Sequence, residues 1–420
     1  MEIEQGDKVL VEQNRRHFFG VLMPSTSDFI VIKLDNGYNV GFSPNNIKLK
    51  LLQKRTIIQE TATLRISRDG LPRISVISTG GTIASKIDYR TGAVTSQFNA
   101  DDIIDAIPEL DDVANIEGKL LYNILSENMA PELWSVLAQC AYNEITRGMD
   151  GVIITHGTDT MGYSAAALSF MLKAPVPVVF VGSQRSADRP SSDNVINAVS
   201  AAVVATSDIA EITAVMHENM SDDFCLVHRG TRMKKLHTSR RDAFTSVNAT
   251  PIARVQYSSR TLQLLDECAP RGGCEMSIKS TMEPMCALIK FYPGAKPHII
   301  DHFLSLGYKG LVIEGTGLGH VSSDWIPKIK TANKEIPVVM TSQCVFGRVN
   351  DRVYDAGRDL LKAGVIGAED MLSETALVKL MWVLGQTTDS EEIRTLMTTN
   401  IAQEISVDDS RTANTFEELS

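Results

Sequence analysis

The strongest constraint on the fold is a rhythm that begins near residue 73. Ile74-Ser75-Val76-Ile77-Ser78 runs into Thr79-Gly80-Gly81-Thr82, and Gly151-Val152-Ile153-Ile154-Thr155 runs into His156-Gly157-Thr158-Asp159-Thr160. Pro177-Val178-Val179-Phe180-Val181 then runs into Gly182-Ser183-Gln184-Arg185, and a helical pattern occupies 161–173. Strands apolar on both faces, alternating with helices, describe a parallel sheet covered on both sides. In such sheets ligands bind beyond the carboxyl ends of the strands, and the polar clusters fall there. A second unit of the same kind is expected, with strands near 286–291, 310–314 and 337–341 and helices near 299–306 and 374–385.

The first sixty residues have a different texture. Lys8-Val9-Leu10-Val11, Phe18-Phe19-Gly20-Val21-Leu22 and Phe29-Ile30-Val31-Ile32-Lys33-Leu34 are separated by Pro24-Ser25-Thr26-Ser27-Asp28 and Asp35-Asn36-Gly37. Short strands with close turn signals predict a small antiparallel SH3-like β-barrel. The expected division is therefore a β-barrel extension over 1–68 and a first α/β domain with most of the site over 69–255. A linker follows over 256–284, where the rhythm lapses into Tyr257-Ser258-Ser259-Arg260 and Pro270-Arg271-Gly272-Gly273. A second α/β domain spans 285–405, and 406–420 is a polar tail. A length of 420 residues suits two or three domains.

Composition narrows the class. No window approaches the run of about 18 apolar residues that spans a bilayer, and the start, Met-Glu-Ile-Glu-Gln-Gly-Asp, has no apolar core for export. A cytoplasmic protein is expected. The six cysteines form no Cys-x-x-Cys pair; Cys268, Cys274 and Cys286 cluster at a spacing that fits no common zinc module, so buried or inert thiols are expected. A net charge of −10 repels phosphate backbones and argues against a stand-alone nucleic-acid binder. Any RNA contact should come mostly from another subunit.

Three clusters carry groups able to do chemistry. In Thr79-Gly80-Gly81-Thr82-Ile83-Ala84, the Thr82 hydroxyl follows two glycines on a tight turn that leaves backbone N–H groups free. The hexapeptide by itself also fits a plain strand-to-helix turn. It is a poor phosphate loop, lacking Gly-Lys-Ser/Thr and Gly-x-Gly-x-x-Gly. His156-Gly157-Thr158-Asp159-Thr160 adds a hydroxyl and a carboxylate, although Thr158 or Asp159 could equally cap the next helix. His156 reads as a structural hydrogen-bonder, since no second His or Cys stands at ligand spacing. The basic run 229–241 carries adjacent Lys234 and Lys235. Such a run is usually a solvated face or a phosphate contact, but one lysine turned in beside Thr158 and Asp159 could act as a base.

The combination is more specific than its parts. Thr79-Gly80-Gly81-Thr82, Tyr89-Arg90-Thr91-Gly92, Ser126-Glu127-Asn128-Met129, His156-Gly157-Thr158-Asp159-Thr160 and the late lysine occur in one order. Across residues 73–400 this resembles the asparaginase/glutaminase family of bacterial type. The resemblance implies two asparaginase-like α/β domains, with Thr82 as nucleophile and Tyr89 beside it as proton acceptor or orienter. Thr158, Asp159 and Lys235 would form a second hydroxyl–carboxylate–lysine group. Asp159 would also grip the substrate α-ammonium and Ser126 its α-carboxylate, with Gly81 and Glu127 lining the pocket. Lys235 is chosen over Lys234 by counting back from Phe244-Thr245-Ser246-Val247-Asn248, which matches the family. This chain departs from the family in having Glu127 where Gln is frequent. The polar residues with which a partner protomer completes the secreted enzymes' sites are also not recognisable in 315–320 or 347–358. Cys344-Val345-Phe346-Gly347-Arg348-Val349-Asn350 is more similar to the cytoplasmic asparaginases.

Plain asparaginases of this family begin almost at the Thr-Gly-Gly-Thr strand. Here residues 1–72 precede it, and these, with Ser183-Gln184-Arg185-Ser186-Ala187-Asp188-Arg189-Pro190 and the 315–320 segment, resemble the D-subunit family of archaeal glutamyl-tRNA(Gln) amidotransferases. That resemblance implies a glutamine-hydrolysing amidase subunit. A separate E subunit would bind Glu-tRNA(Gln), activate the glutamyl carboxylate with ATP and Mg, and add the ammonia. It also implies a homodimer core within a heterotetramer, no metal or organic cofactor on this chain, and no membrane contact. A free-standing cytoplasmic L-asparaginase shares all five motifs but not the extension. A catalytically silent scaffold subunit is disfavoured by the intact Thr82, Tyr89, Asp159 and Lys235.

Overall fold

The computed structural model describes residues 3, 7–14, 16–23, 25, 29–34, 38–54, 68–80, 86–87, 94–95, 107–186, 189, 191–350 and 355–406. Near the N-terminus, β1 (Lys8–Gln13), β2 (Arg16–Met23), β3 (Ile30–Leu34), β4 (Asn39–Phe42) and β5 (Lys48–Gln53) form an antiparallel sheet in the order β4-β3-β2-β1-β5. Strand alternation turns Val9, Val11, Ile32 and Phe42 into a core of their own, where Phe18 packs on Phe42 at 5.0 Å between ring centroids. This is the small antiparallel β domain expected near the N-terminus. Its last two strands, β4 and β5, are ones that the sequence pattern did not single out.

The main sheet contains β6 (Arg73–Gly80), β7 (Asn115–Ile124), β8 (Gly151–Thr155), β9 (Val178–Val181), β10 (Ile212–His217) and β11 (Phe224–Arg229). A two-stranded ribbon, β12 (Met233–Lys235) with β13 (Phe244–Ser246), precedes its last members, β14 (Ala253–Gln256) and β15 (Thr261–Leu264). The order is β15-β14-β11-β10-β9-β8-β6-β7. Strands β6 to β10 are parallel, whereas β11, β14 and β15 join by antiparallel pairing. The sheet is thus mixed rather than wholly parallel. Residues 218–223 return the chain directly from β10 to β11, and a connection that short cannot make a parallel crossover.

Both faces of β6, β8, β9 and β10 are buried, which explains their largely apolar runs. Val178 and Phe180 face α1 (Pro131–Thr146) and α2 (Met161–Met171), packing with Leu137 and Leu168. Val179 and Val181 face α3 (Asn194–Ala205), packing with Val199 and Ala202.

The second unit is a parallel sheet of β16 (Cys286–Lys290), β17 (Gly310–Gly315), β18 (Val338–Ser342) and β19 (Ile366–Gly367), in that order. Its outer core holds Leu311, Ile313 and Trp325 together with Ile300 of α4 (His298–Ser305), Ile329 of α5 (Ile326–Ala332) and Leu360 of α6 (Asp355–Lys362). Its inner face carries α7 (Ser373–Gln386), followed by α8 (Ser390–Thr398). Leu380 and Trp382 of α7 share one continuous core with Leu168 and Phe170 of α2, and the Phe170 and Trp382 rings stack at 6.0 Å. The two α/β units are therefore fused through a helix–helix layer.

Residues 256–284, expected as a linker, carry the edge strand β15 and a short pairing of Ser277–Ile278 with Leu172–Lys173. The Lys279 carbonyl accepts the Trp382 indole N–H at 2.9 Å. The thiols are mixed in character. Cys140, Cys225 and Cys286 are buried, Cys268 and Cys274 half-buried, and Cys344 exposed. No described helix is long and apolar enough to cross a membrane.

Candidate active site

The carboxyl ends of β6 and β8 lie side by side, with Ser78 paired to Thr155. The buried Thr79 hydroxyl donates to the Thr155 carbonyl at 2.8 Å and locks the two ends together. Gly80 has φ +105°, and a Cβ there would stand 2.4 Å from the Ile124 carbonyl oxygen. Only glycine fits where the β6 backbone presses on β7. Gly81, Thr82 and Tyr89, named from the sequence, lie outside the described residues.

From β8 the chain enters His156–Thr160. His156 is fully buried between the Gly157 carbonyl, 2.7 Å from Nδ1, and the Ser164 hydroxyl, 2.8 Å from Nε2. Burial pushes its pKa down to about 4, so the ring is a neutral brace. A Cβ on Gly157 would lie 2.6 Å from Ser126 Cβ and 2.9 Å from its hydroxyl. Ser126 therefore sits directly against this turn, and its carbonyl accepts the Thr160 hydroxyl at 2.7 Å. Glu127, the next residue, is exposed.

The N-cap position of α2 belongs to Thr160. Thr158 and Asp159 face elsewhere. Lys235 Nζ donates to Thr158 Oγ1 at 2.9 Å and to Asp159 Oδ1 at 2.7 Å. Lys234 turns the opposite way and pairs with the Glu374 carboxylate. Neighbours on a strand point to opposite faces, so the β12 ribbon separates the two ammonium groups. A Cβ on Gly182 would stand 2.8 Å from Thr158 Cγ2, so the turn after β9 can close on Thr158 only through a glycine. The buried Asp193 carboxylate holds that turn, accepting the Ser183 hydroxyl at 2.8 Å and the Gln184 and Arg185 N–H groups at 2.9 and 3.0 Å.

Several supporting residues carry no local signal in the sequence, because their partners lie far along the chain. Arg232 Nη1 pairs with Asp370 Oδ2 at 2.9 Å, both buried. Asn248, with φ +54°, donates to the Gly347 and Asp370 carbonyls, each at 3.0 Å, and accepts the Gly347 N–H at 2.9 Å. The only hint of this role was the 244–248 motif. Among the described residues no group of three His, Cys, Asp or Glu side chains could hold a metal ion.

An ammonium in contact with both a hydroxyl and a carboxylate beyond the carboxyl ends of a parallel sheet, with a serine alongside, has the groups needed to grip an amino acid and act on its amide. The L-asparaginase of Thermococcus kodakarensis superposes with a TM-score of 0.73 at 33% identity, over 80% of this chain and 100% of its own. L-asparaginase I of Vibrio cholerae does so with a TM-score of 0.69 at 26% identity, over 80% and 100%. Fold and site define an asparaginase-type amidohydrolase. Residues 73–267 match the family described as Asparaginase, N-terminal, 286–397 the Glutaminase/Asparaginase C-terminal domain, and 3–52 the GatD N-terminal domain. The D subunit of the glutamyl-tRNA(Gln) amidotransferase of Methanosarcina mazei is 55% identical over 419 residues, covering 96% of this chain and 99% of its own. That of Archaeoglobus fulgidus is 53% identical, covering 96% and 95%. The chain belongs to the family of glutamyl-tRNA(Gln) amidotransferase D subunits.

Proposed function

We propose that this chain hydrolyses the side-chain amide of glutamine and passes the ammonia to a partner subunit that converts Glu-tRNA(Gln) to Gln-tRNA(Gln). The observation that carries the reading is the joint contact of Lys235 with Thr158 and Asp159 beside the end of β6, the strand that leads into Thr82.

In this reading Thr82 Oγ attacks the amide carbon and gives up its proton, with Tyr89 beside it as acceptor or orienter. Backbone N–H groups near Thr158 stabilise the oxyanion. Ammonia leaves with the added proton, and an ester joins the acyl group to Thr82. Water then cleaves the ester, so glutamine and water become glutamate and ammonia. Thr158 and Lys235 are the second hydroxyl and its base, held in line by Asp159. Asp159 also receives the substrate α-ammonium and Ser126 its α-carboxylate, with Gly81 and Glu127 lining the pocket.

The E subunit would supply the tRNA site, ATP and Mg. A homodimer core within a heterotetramer, and a cytoplasmic location, complete the proposal. The domain division is kept as 1–68, 69–255, 256–284, 285–405 and 406–420, with the third segment read as a tethered connection. The charge of −10 suits a chain that leaves tRNA to its partner.

The test is ammonia release from glutamine and from asparagine, with and without the partner subunit and Glu-tRNA(Gln). Release from glutamine that rises with the complete system supports the proposal. Fast asparagine turnover by the chain alone, unchanged by either addition, would show a free-standing asparaginase instead.

A further inference from the structure

The ribbon that carries Lys235 belongs by sequence to the first α/β unit, yet it is held from the second. Thr231 Oγ1 donates to the Ala402 carbonyl at 2.9 Å, and the Thr231 carbonyl accepts Thr375 Oγ1 at 2.9 Å. Arg232 reaches Asp370 Oδ2 at 2.9 Å, the Gln403 carbonyl at 2.7 Å and Ser406 Oγ at 3.1 Å. Lys234 pairs with Glu374, in the first turn of α7. On the other face of the same strand, Met233 packs in the core that includes Met161 and Ala165 of α2, and Lys235 reaches Thr158 and Asp159. Within β12, Lys234 thus grips the second unit while Met233 and Lys235 face the first, and Thr231 and Arg232 tie the chain entering the strand to the second unit.

Glu374 is the telling member of this set. One carboxylate oxygen takes Lys234, while Oε2 is buried without a hydrogen-bond partner. The side chain is 23% exposed, but its buried Oε2 carries a desolvation cost that an apolar side chain would avoid. Tyr163 lies close enough for the charge to register, its pKa pushed up to about 12 by burial and then by Glu374 and Glu314. Retaining a costly anion here makes sense if its charge fixes the height and tilt of β12. Lys235 must make two hydrogen bonds at once, to partners on adjacent residues. A strand shift of about 1 Å would break one of them, and misplacements of that size can cost about a hundredfold in rate.

We propose that Glu374 is a positioning residue for the amidase reaction. Through Lys234 it anchors β12 to α7, so that the packing of the second unit on the first sets Lys235 against Thr158 and Asp159. The inference rests on the reading of Lys235 as catalytic.

The experiment uses the full chain assembled with its partner subunit and measures kcat and KM for ammonia release from glutamine. Glu374→Gln and Lys234→Met are each expected to lower kcat by about tenfold while KM moves less than about twofold, since they disturb an interaction of the reacting state and not substrate binding. Lys234→Arg should recover most of the rate, and unfolding midpoints should stay near that of the parent. A merely structural contact would lower the unfolding midpoint and leave kcat per folded molecule unchanged. Lys235→Met is the control. If Lys235→Met is inactive while Glu374→Gln and Lys234→Met both keep parental kcat, the positioning role is wrong. If Lys235→Met itself retains activity, the catalytic reading beneath it is wrong. Should Glu374→Gln fail to fold, Lys234→Met and its arginine counterpart still decide the question.

Discussion

Two adjacent lysines, Lys234 on Glu374 and Lys235 on Thr158 and Asp159, can be told apart by substitution. Lys235→Met should reduce ammonia release nearly as much as Thr82→Val, a near-isosteric change expected to cost on the order of 10³ or more. Lys234→Met should cost far less, because it acts only through the strand. Steady-state ammonia release checks the ranking, and full activity in a folded Thr82→Val protein would remove Thr82 as nucleophile. The buried imidazoles give a second test. His156 and His228 are fully buried, and burial pushes both pKa values down to about 4. In the unfolded chain each takes up a proton below pH about 6.5. Between these limits the unfolded state binds more protons, so stability falls as the pH drops, by roughly 3 kcal/mol per histidine once pH 4 is reached. Urea midpoints measured from pH 7 to 4.5 should show that decline. His228→Gln should flatten its slope by close to one proton. An unchanged slope would mean that His228 is already protonated in the folded protein.

At the scale of elements, two devices hold the ends of strands and helices where the site needs them. Gly80 is the first, and two effects are separable there. Gly70, at φ +87°, has open space where a Cβ would go, so Gly70→Ala should cost about 1 kcal/mol from backbone strain alone. Gly80→Ala adds a clash with the Ile124 carbonyl and should cost more than about 2 kcal/mol, with loss of ammonia release as β6 and β7 part. Equal urea midpoints for the two variants would refute this. Helix α7 is the second device. Its first turn grips β12, and its buried Lys379 pairs with buried Glu404 at 2.5 Å while donating to the Met397 and Thr399 carbonyls at 3.0 and 2.7 Å. Burial lowers the Lys379 pKa and the Glu404 carboxylate opposes that shift. Glu404→Gln strands an ammonium in the core and should cost about 3–5 kcal/mol. Adding Lys379→Met should recover much of that loss, because replacing both partners removes the buried charge. A double-mutant cycle by urea unfolding measures the coupling, and additive losses would contradict it.

For the whole molecule, the question is which parts stand alone. The small β domain has a core separate from the three clusters that fill the α/β units. A chain beginning at Asp69 should therefore fold and unfold cooperatively by calorimetry, because everything that buries its core lies downstream. It should assemble poorly with the partner subunit, or lose the coupling between ammonia release and tRNA amidation. Unimpaired assembly and coupling would leave the β domain without a docking role. The two α/β units, by contrast, should not survive separation. Helices α2 and α7 cover each other's apolar faces in one core, so cutting near residue 270 should expose both and give two aggregating halves rather than two stable domains.

By itself the sequence determined the parts whose signal is local. Val152-Ile153-Ile154 and Val178-Val179-Phe180-Val181 read as two-sided strands because each residue's burial is written in its own apolarity, and Ile74, Val76 and Ile77 carry the same signal around the buried polar Ser75. The turns of the candidate site stood out as polar groups following those runs, and the order of the motifs carried the family. What the tertiary structure decided was pairing over distance. Nothing near Arg232 or Lys234 in the chain points to Asp370 or Glu374, well over a hundred residues away, and nothing in residues 256–284 shows that they bind both units. The antiparallel half of the main sheet was equally silent, since β11 and β14 have the same composition whichever way they run. Periodicity records which face of an element is buried. It does not record what buries it, and that is set only when elements distant in the chain pack together.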